Sequence, residues 1–131
     1  MDDRKLLDEP RYLEDHLIGT EDPLVHVAAV DVPGSGGAHH EYVVYVDTAG
    51  GVQDVYHFDF QNGPIKESGA NGITHEALLA IVMDRLRCFQ KGPYSCKANA
   101  CALTHIEEAM HWLQQRTIER MRRGVEGTHQ V

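Results

Sequence analysis

The sequence predicts an α+β fold: a small antiparallel sheet of about three strands, followed by an antiparallel helical hairpin with a long C-terminal helix. Three observations lead there. β-Branched and alternating segments crowd residues 24–61. A run free of Gly and Pro extends from Ser95 to Arg123, bounded by Gly92-Pro93 and Gly124, and carries helical periodicity. A second helical pattern precedes it, separated only by a short Gly-Pro connection, so the two helices should be antiparallel neighbours.

A chain of 131 residues implies a single domain. In residues 1–23, Pro10 suits the first position of a short helix, PRYLEDHLIG, stopped by Gly19. LVHVAAVDV, bounded by Pro23 and Pro33, reads as the first strand. EYVVYVD and GVQDVYHFDF flank Thr48-Ala49-Gly50-Gly51 and form a β-hairpin signal. The second alternates cleanly, with Tyr56, Phe58 and Phe60 on one face and His57 and Asp59 on the other, so one face of the sheet should be buried. Asn62-Gly63 and Asn71-Gly72 mark turns on either side of IKESGA.

The hairpin is expected over 74–123. Thr74 is the N-cap residue, with Glu76 favourably placed in the first turn. Leu78, Ile81, Val82, Leu86 and Phe89 build the apolar face of the first helix, which ends at Lys91-Gly92-Pro93. In the second, Leu103, Ile106, Met110, Leu113, Thr117 and Met121 recur at spacings of three and four. Its twenty-nine positions span roughly 43 Å, against roughly 24 Å for the first helix, so several turns overhang. The stripe on the overhang must lie on the sheet or on another subunit, and a subunit is the favoured cover. The polar tail, 124–131, is expected to be loose.

The formal charge of −8 conceals a split. Residues 1–65 hold thirteen acidic and three basic side chains, whereas 66–131 hold seven acidic and nine basic. Nucleic-acid polymers need a broad basic face and are excluded as partners, but a small anion on a few focused arginines fits the second half. No apolar run approaches twenty residues and the start, MDDRKLLDEP, is charged, so neither a membrane span nor a secretory signal is expected. Three cysteines, Cys88, Cys96 and Cys101, form no CxxC pair and fit a reduced, cytoplasmic compartment.

Catalytic and cofactor chemistry finds little support in the motifs. GSGGAH at 34–39 contains GxG but lacks the strand-to-helix context of a dinucleotide site. His105, Glu108 and His111 resemble half of a di-iron carboxylate motif without its second half. Cys88, Cys96, Cys101 and His105 match no familiar zinc module. His39-His40 reads most simply as solvated loop, and no nucleophile, base and orienting group can be assembled. No cofactor is expected. Arg116 and Arg120 lie one helical turn apart and could grip one anion, although helix-end arginines commonly do no more than complement the dipole.

NACALTHIEEAMHWLQQRT, together with FQNGPIKESGANGITHEALL, resembles the hairpin domain of phage anti-Thoeris and anti-CBASS sponge proteins, most closely the anti-Thoeris branch, over roughly residues 55–123. That resemblance implies a non-enzymatic binder acting in the host cell cytoplasm and assembled from dimers into a homo-oligomer such as a hexamer. The implied ligand is a cyclic ADP-ribose isomer made by TIR-domain enzymes. It also implies a pocket in which Phe89 stacks on adenine, Asn99 hydrogen-bonds base or ribose, and Arg116 and Arg120 hold the phosphates. The rival readings are an assembly protein that oligomerises through its long helix and a metal-dependent enzyme using the histidines.

Overall fold

The computed structural model describes residues 5–19 and 22–131. It contains four strands, β1 (Leu6–Leu13), β2 (Val25–Asp31), β3 (Glu41–Asp47) and β4 (Gln53–Asp59), then α1 (Ile65–Ser68), α2 (His75–Lys91) and α3 (Lys97–Arg122). The class is α+β, with one strand more than expected. The chain divides into two compact units, one holding the sheet with residues 68–72 and the other holding residues 64–67 with 73–131.

The sheet is an antiparallel meander in the order β1-β2-β3-β4. Its extra strand occupies part of the stretch expected to be a short helix, and the helix reading of residues 10–19 is corrected. Pro10 lacks an N–H and suits an edge strand at least as well as a helix start. β1 is such an edge, and its pairing slips between Leu6 and Arg11, the interval that contains Pro10. The turn at Thr48–Gly51 forms as expected, with Gly51 N donating to Thr48 O (3.1 Å) and Gly51 at φ +76°.

Register places Val44 opposite both Val27 and Tyr56, and Tyr42 opposite Ala29 and Phe58, on one face. Val43, Ala28 and His57 share the other. Ala28, Ala29 and Val43 are buried, yet Tyr12, Val55 and Tyr56 stay exposed, and no large side chain is fully buried among the described residues. Asp47 pairs with His26 at 2.9 Å, and this hydrogen bond, helped by one from Gln53, holds its carboxyl below the ordinary 3.8.

His39-His40 is not a free loop. The buried Asp31 carboxylate accepts the backbone N–H groups of His40 (2.9 Å) and Glu41 (3.1 Å), and His39 Nδ1 donates to the Asp31 carbonyl (2.6 Å). A short acidic side chain that satisfies successive backbone donors substitutes for ladder bonds where the strand turns away.

The two Asn-Gly turns form one structure. Asn71 Oδ1 accepts Asn62 N–H (2.8 Å) while Asn71 Nδ2 donates to Asn62 O (2.7 Å). Gln61 accepts Asn71 N–H (3.0 Å) and donates to the carbonyls of Gly63 and Gly69. A Cβ at Gly72 would collide with the backbone of Asp59 and Phe60, so only glycine fits this approach.

In the helical unit, Thr74 caps α2 as expected, its hydroxyl accepting Ala77 N–H at 3.2 Å. α3 is capped by Cys96, whose Sγ accepts Asn99 N–H at 3.4 Å. The hairpin tip between them is clamped by Gln90, which accepts Cys96 N–H (3.1 Å) and donates to Cys96 O (3.2 Å). Midway, Arg87 and Glu107 join the helices at 2.9 Å. α3 has 26 residues against 17 in α2, and its overhang leaves Ile118 and Met121 exposed.

Candidate functional site

At the tip, Phe89 lies in the last turn of α2, where the apolar period of the helix places it beside the connection. Tyr94 meets it edge-on with ring centroids 6.4 Å apart. Arg85, one turn earlier, sets its guanidinium carbon 5.1 Å from the Phe89 centroid. These three, with Ile81, Asp84 and Cys88, line a groove of about 560 Å³. That volume suits a small ligand, and the mixture of an aromatic wall with a few polar groups suits a planar one. Asn99 stands half-buried in the first turn of α3, with its backbone N–H engaged by the Cys96 cap.

At the other end of α3 the two arginines have opposite surroundings. Arg116 is exposed to solvent. Arg120 is 8% exposed and its guanidinium is taken up by the segment that follows the helix. Nε donates to Glu126 (3.2 Å), Nη1 to Gln130 O (2.5 Å), and Nη2 to Val125 O (3.0 Å) and Thr128 O (2.9 Å). Residues 124–131, expected to be loose, are therefore held. Further contacts run from Lys66 N–H to Gly127 O (2.8 Å) and from His129 Nδ1 to Glu67 Oε1 (2.7 Å).

The structure thus places Phe89 and Asn99 at the tip and Arg116 and Arg120 on the overhang. Asn99 and Arg116 are seventeen positions apart along one helix, which separates them by roughly 25 Å. One chain does not bring the four together. Sequence reasoning left Arg85 without a role and passed over Tyr94. The i, i+4 spacing of Arg85 and Phe89 was the available signal for the first, whereas Tyr94 reaches Phe89 through a turn geometry with no sequence mark. Among the described residues, no three His, Cys, Asp or Glu side chains converge as a metal site would need. Cys96 has a structural use as a cap, and His105 and Glu108 lie 3.7 Å apart with both side chains exposed.

Against known protein families, residues 53–117 match the one described as Acb2/Tad1, hairpin domain. The chain is also 47% identical over 94 residues to a protein named Thoeris anti-defense 1 from Bacillus phage SBSphiJ7. That match covers 72% of this chain and 64% of the relative, so the chain spans less than two thirds of that protein's length. The matched family region contains β4, both long helices to Thr117, the aromatic groove, Asn99 and Arg116, and stops short of Arg120. By this hairpin domain the chain belongs to the Acb2/Tad1 family.

Proposed function

We propose that this protein is a phage anti-defence sponge that binds and sequesters a nucleotide-derived immune signal, a cyclic ADP-ribose isomer made by TIR-domain enzymes, without cleaving it. In this reading Phe89 stacks on the base, Asn99 hydrogen-bonds base or ribose, and Arg116 and Arg120 hold the phosphates. Stacking on an aromatic contributes about 1–3 kcal/mol per base, and each charge-assisted bond to phosphate contributes about 1.5–3 kcal/mol. Nanomolar retention corresponds to about 12 kcal/mol, so enclosure by further walls is part of the reading. Sequestration in the host cytoplasm needs no reaction, only tighter binding than the receptor of the signal achieves.

The observation that carries the proposal is the division of the binding chemistry between two ends of one helix roughly 25 Å apart. A mononucleotide-sized ligand cannot span them within one chain. An antiparallel homodimer, alone or within a larger assembly such as a hexamer, sets one subunit's tip beside the other's overhang, and does so twice. It also covers Ile118 and Met121, exposed at 43% and 64%. Phe89→Ala and Arg116→Ala should each weaken binding by about 2 kcal/mol with the fold retained. After joint refolding, the mixed dimers should regain one intact pocket, measured by calorimetry. No regained binding despite proven subunit exchange overturns the shared pocket. Ligand released by heating should keep its original mass, and a cleaved product would make the protein an enzyme. The exposed overhang equally favours a pure assembly protein, for which no nucleotide would bind at any concentration.

A further inference from the structure

Arg120 cannot do two things at once. A guanidinium offers five N–H donors, and four hydrogen bonds already commit the Arg120 side chain to Glu126, Val125, Thr128 and Gln130. With 8% of the residue exposed, no phosphate reaches it while residues 124–131 stay in place. The Glu126 carboxylate also puts a negative charge where a phosphate would sit.

We infer that residues 124–131 form an internal strap that occupies the anion site of Arg120 in the free protein and is displaced when a pyrophosphate-bearing ligand binds. The inference rests on the sponge reading and adds a regulatory step to it. The chemistry of the exchange is balanced. Three of the strap's acceptors are neutral carbonyls, and charged phosphate oxygens accept from a guanidinium roughly twice as strongly. The strap's acceptors follow Arg120 by only five to ten residues of the same chain, so their local concentration is high, and ligand must outcompete them. A protein whose competent state is a minor fraction shows an affinity reduced by that fraction.

The strap has a distinct weak point that does not touch the arginine. Gly127 sits at φ +81°, and a Cβ there would meet Lys66 Cγ at 2.9 Å. The same glycine's carbonyl accepts the Lys66 N–H, which fastens the strap to the start of α1. Gly127→Val therefore strains the latched form while Arg120 is retained.

The test uses two probes, inorganic pyrophosphate and the cyclic ADP-ribose isomer released by a TIR-domain enzyme, on the full chain and on Gly127→Val. The strap predicts about tenfold tighter binding of both probes by the variant. It also predicts that hydrogen exchange at the amides of residues 125–130 speeds up in the wild type on saturation, a measurement that does not depend on the variant folding. Equal affinity of the two proteins, or strap amides as protected with ligand as without, overturns the strap while leaving the sponge reading intact. Tight pyrophosphate binding by the variant with no binding of the cyclic isomer by either protein overturns the sponge reading while leaving the strap. Binding of neither probe by either protein overturns both.

Discussion

The two ends of the helical hairpin solve the same problem in opposite ways. The tip is held by side chains acting on a short connection, with Gln90 clamping Cys96 from both sides and Cys96 capping α3. Its aromatic groove therefore stays open, with Tyr94 72% exposed. At the far end a longer segment is held chiefly by one charged side chain, with Lys66 and Glu67 assisting, and Arg120 is buried in doing so. Where a loop is short, it can be fixed without consuming a functional group. Where eight residues have to be tied down, the strongest donor nearby is enlisted, and in this chain that donor is one the sponge reading assigns to the ligand.

Substitution at the two arginines should give the largest contrast. Arg120→Ala removes four hydrogen bonds from a buried group and should destabilise the helical unit by about 3 kcal/mol. Arg116→Ala, at an exposed position one turn away, should change stability by less than about 0.5 kcal/mol. Urea unfolding followed by helix signal measures both. Equal values for the two would erase the difference between an engaged and an exposed arginine.

A smaller effect is expected at the tip. Gln90→Ala deletes two hydrogen bonds to Cys96 in an exposed setting and should lower stability by about 1 kcal/mol. It should also loosen the groove, seen as faster exchange at the amides of residues 94–96. A loss as large as that of Arg120→Ala would mean that the tip is fixed no differently from the far end.

Legibility in the sequence follows the same division. Side-chain devices were readable: the Thr74 cap, the turn at Thr48–Gly51, the alternation of β4 and the periodic stripes of α2 and α3 all announce themselves through residue type at fixed spacing. β1 did not, because LLDEPRYL alternates poorly and its proline points equally to a helix start. The strap was unreadable for a deeper reason. Its grip on Arg120 uses three backbone carbonyls, which every residue possesses, so GVEGTHQV carries no signature beyond Glu126. Cys96 was weighed as a metal ligand, whereas its position one residue before the helix was the better clue. Of the four candidate binding residues, spacing marked only Arg116 and Arg120, and the set of four came from the family resemblance, but their separation into two ends follows from helix length.

The clasp between the two Asn-Gly turns gives the molecule a chemical clock. In an Asn-Gly pair the following backbone nitrogen is unhindered and can attack the side-chain amide, expelling ammonia to close a succinimide ring that water then opens to an acidic residue. Asn71 resists, because both ends of its amide are engaged with Asn62 at 2.8 and 2.7 Å. The side chain of Asn62, by contrast, accepts one long contact among the described residues, from Ser35 N–H to its oxygen at 3.4 Å. Peptide mapping after storage at mildly alkaline pH should therefore find Asn62 converted well before Asn71, and the reverse order would show that the clasp does not hold in solution. Once Asn71 does convert, its donor becomes a carboxylate oxygen facing the carbonyl of Asn62, and an attraction between the two turns becomes a repulsion.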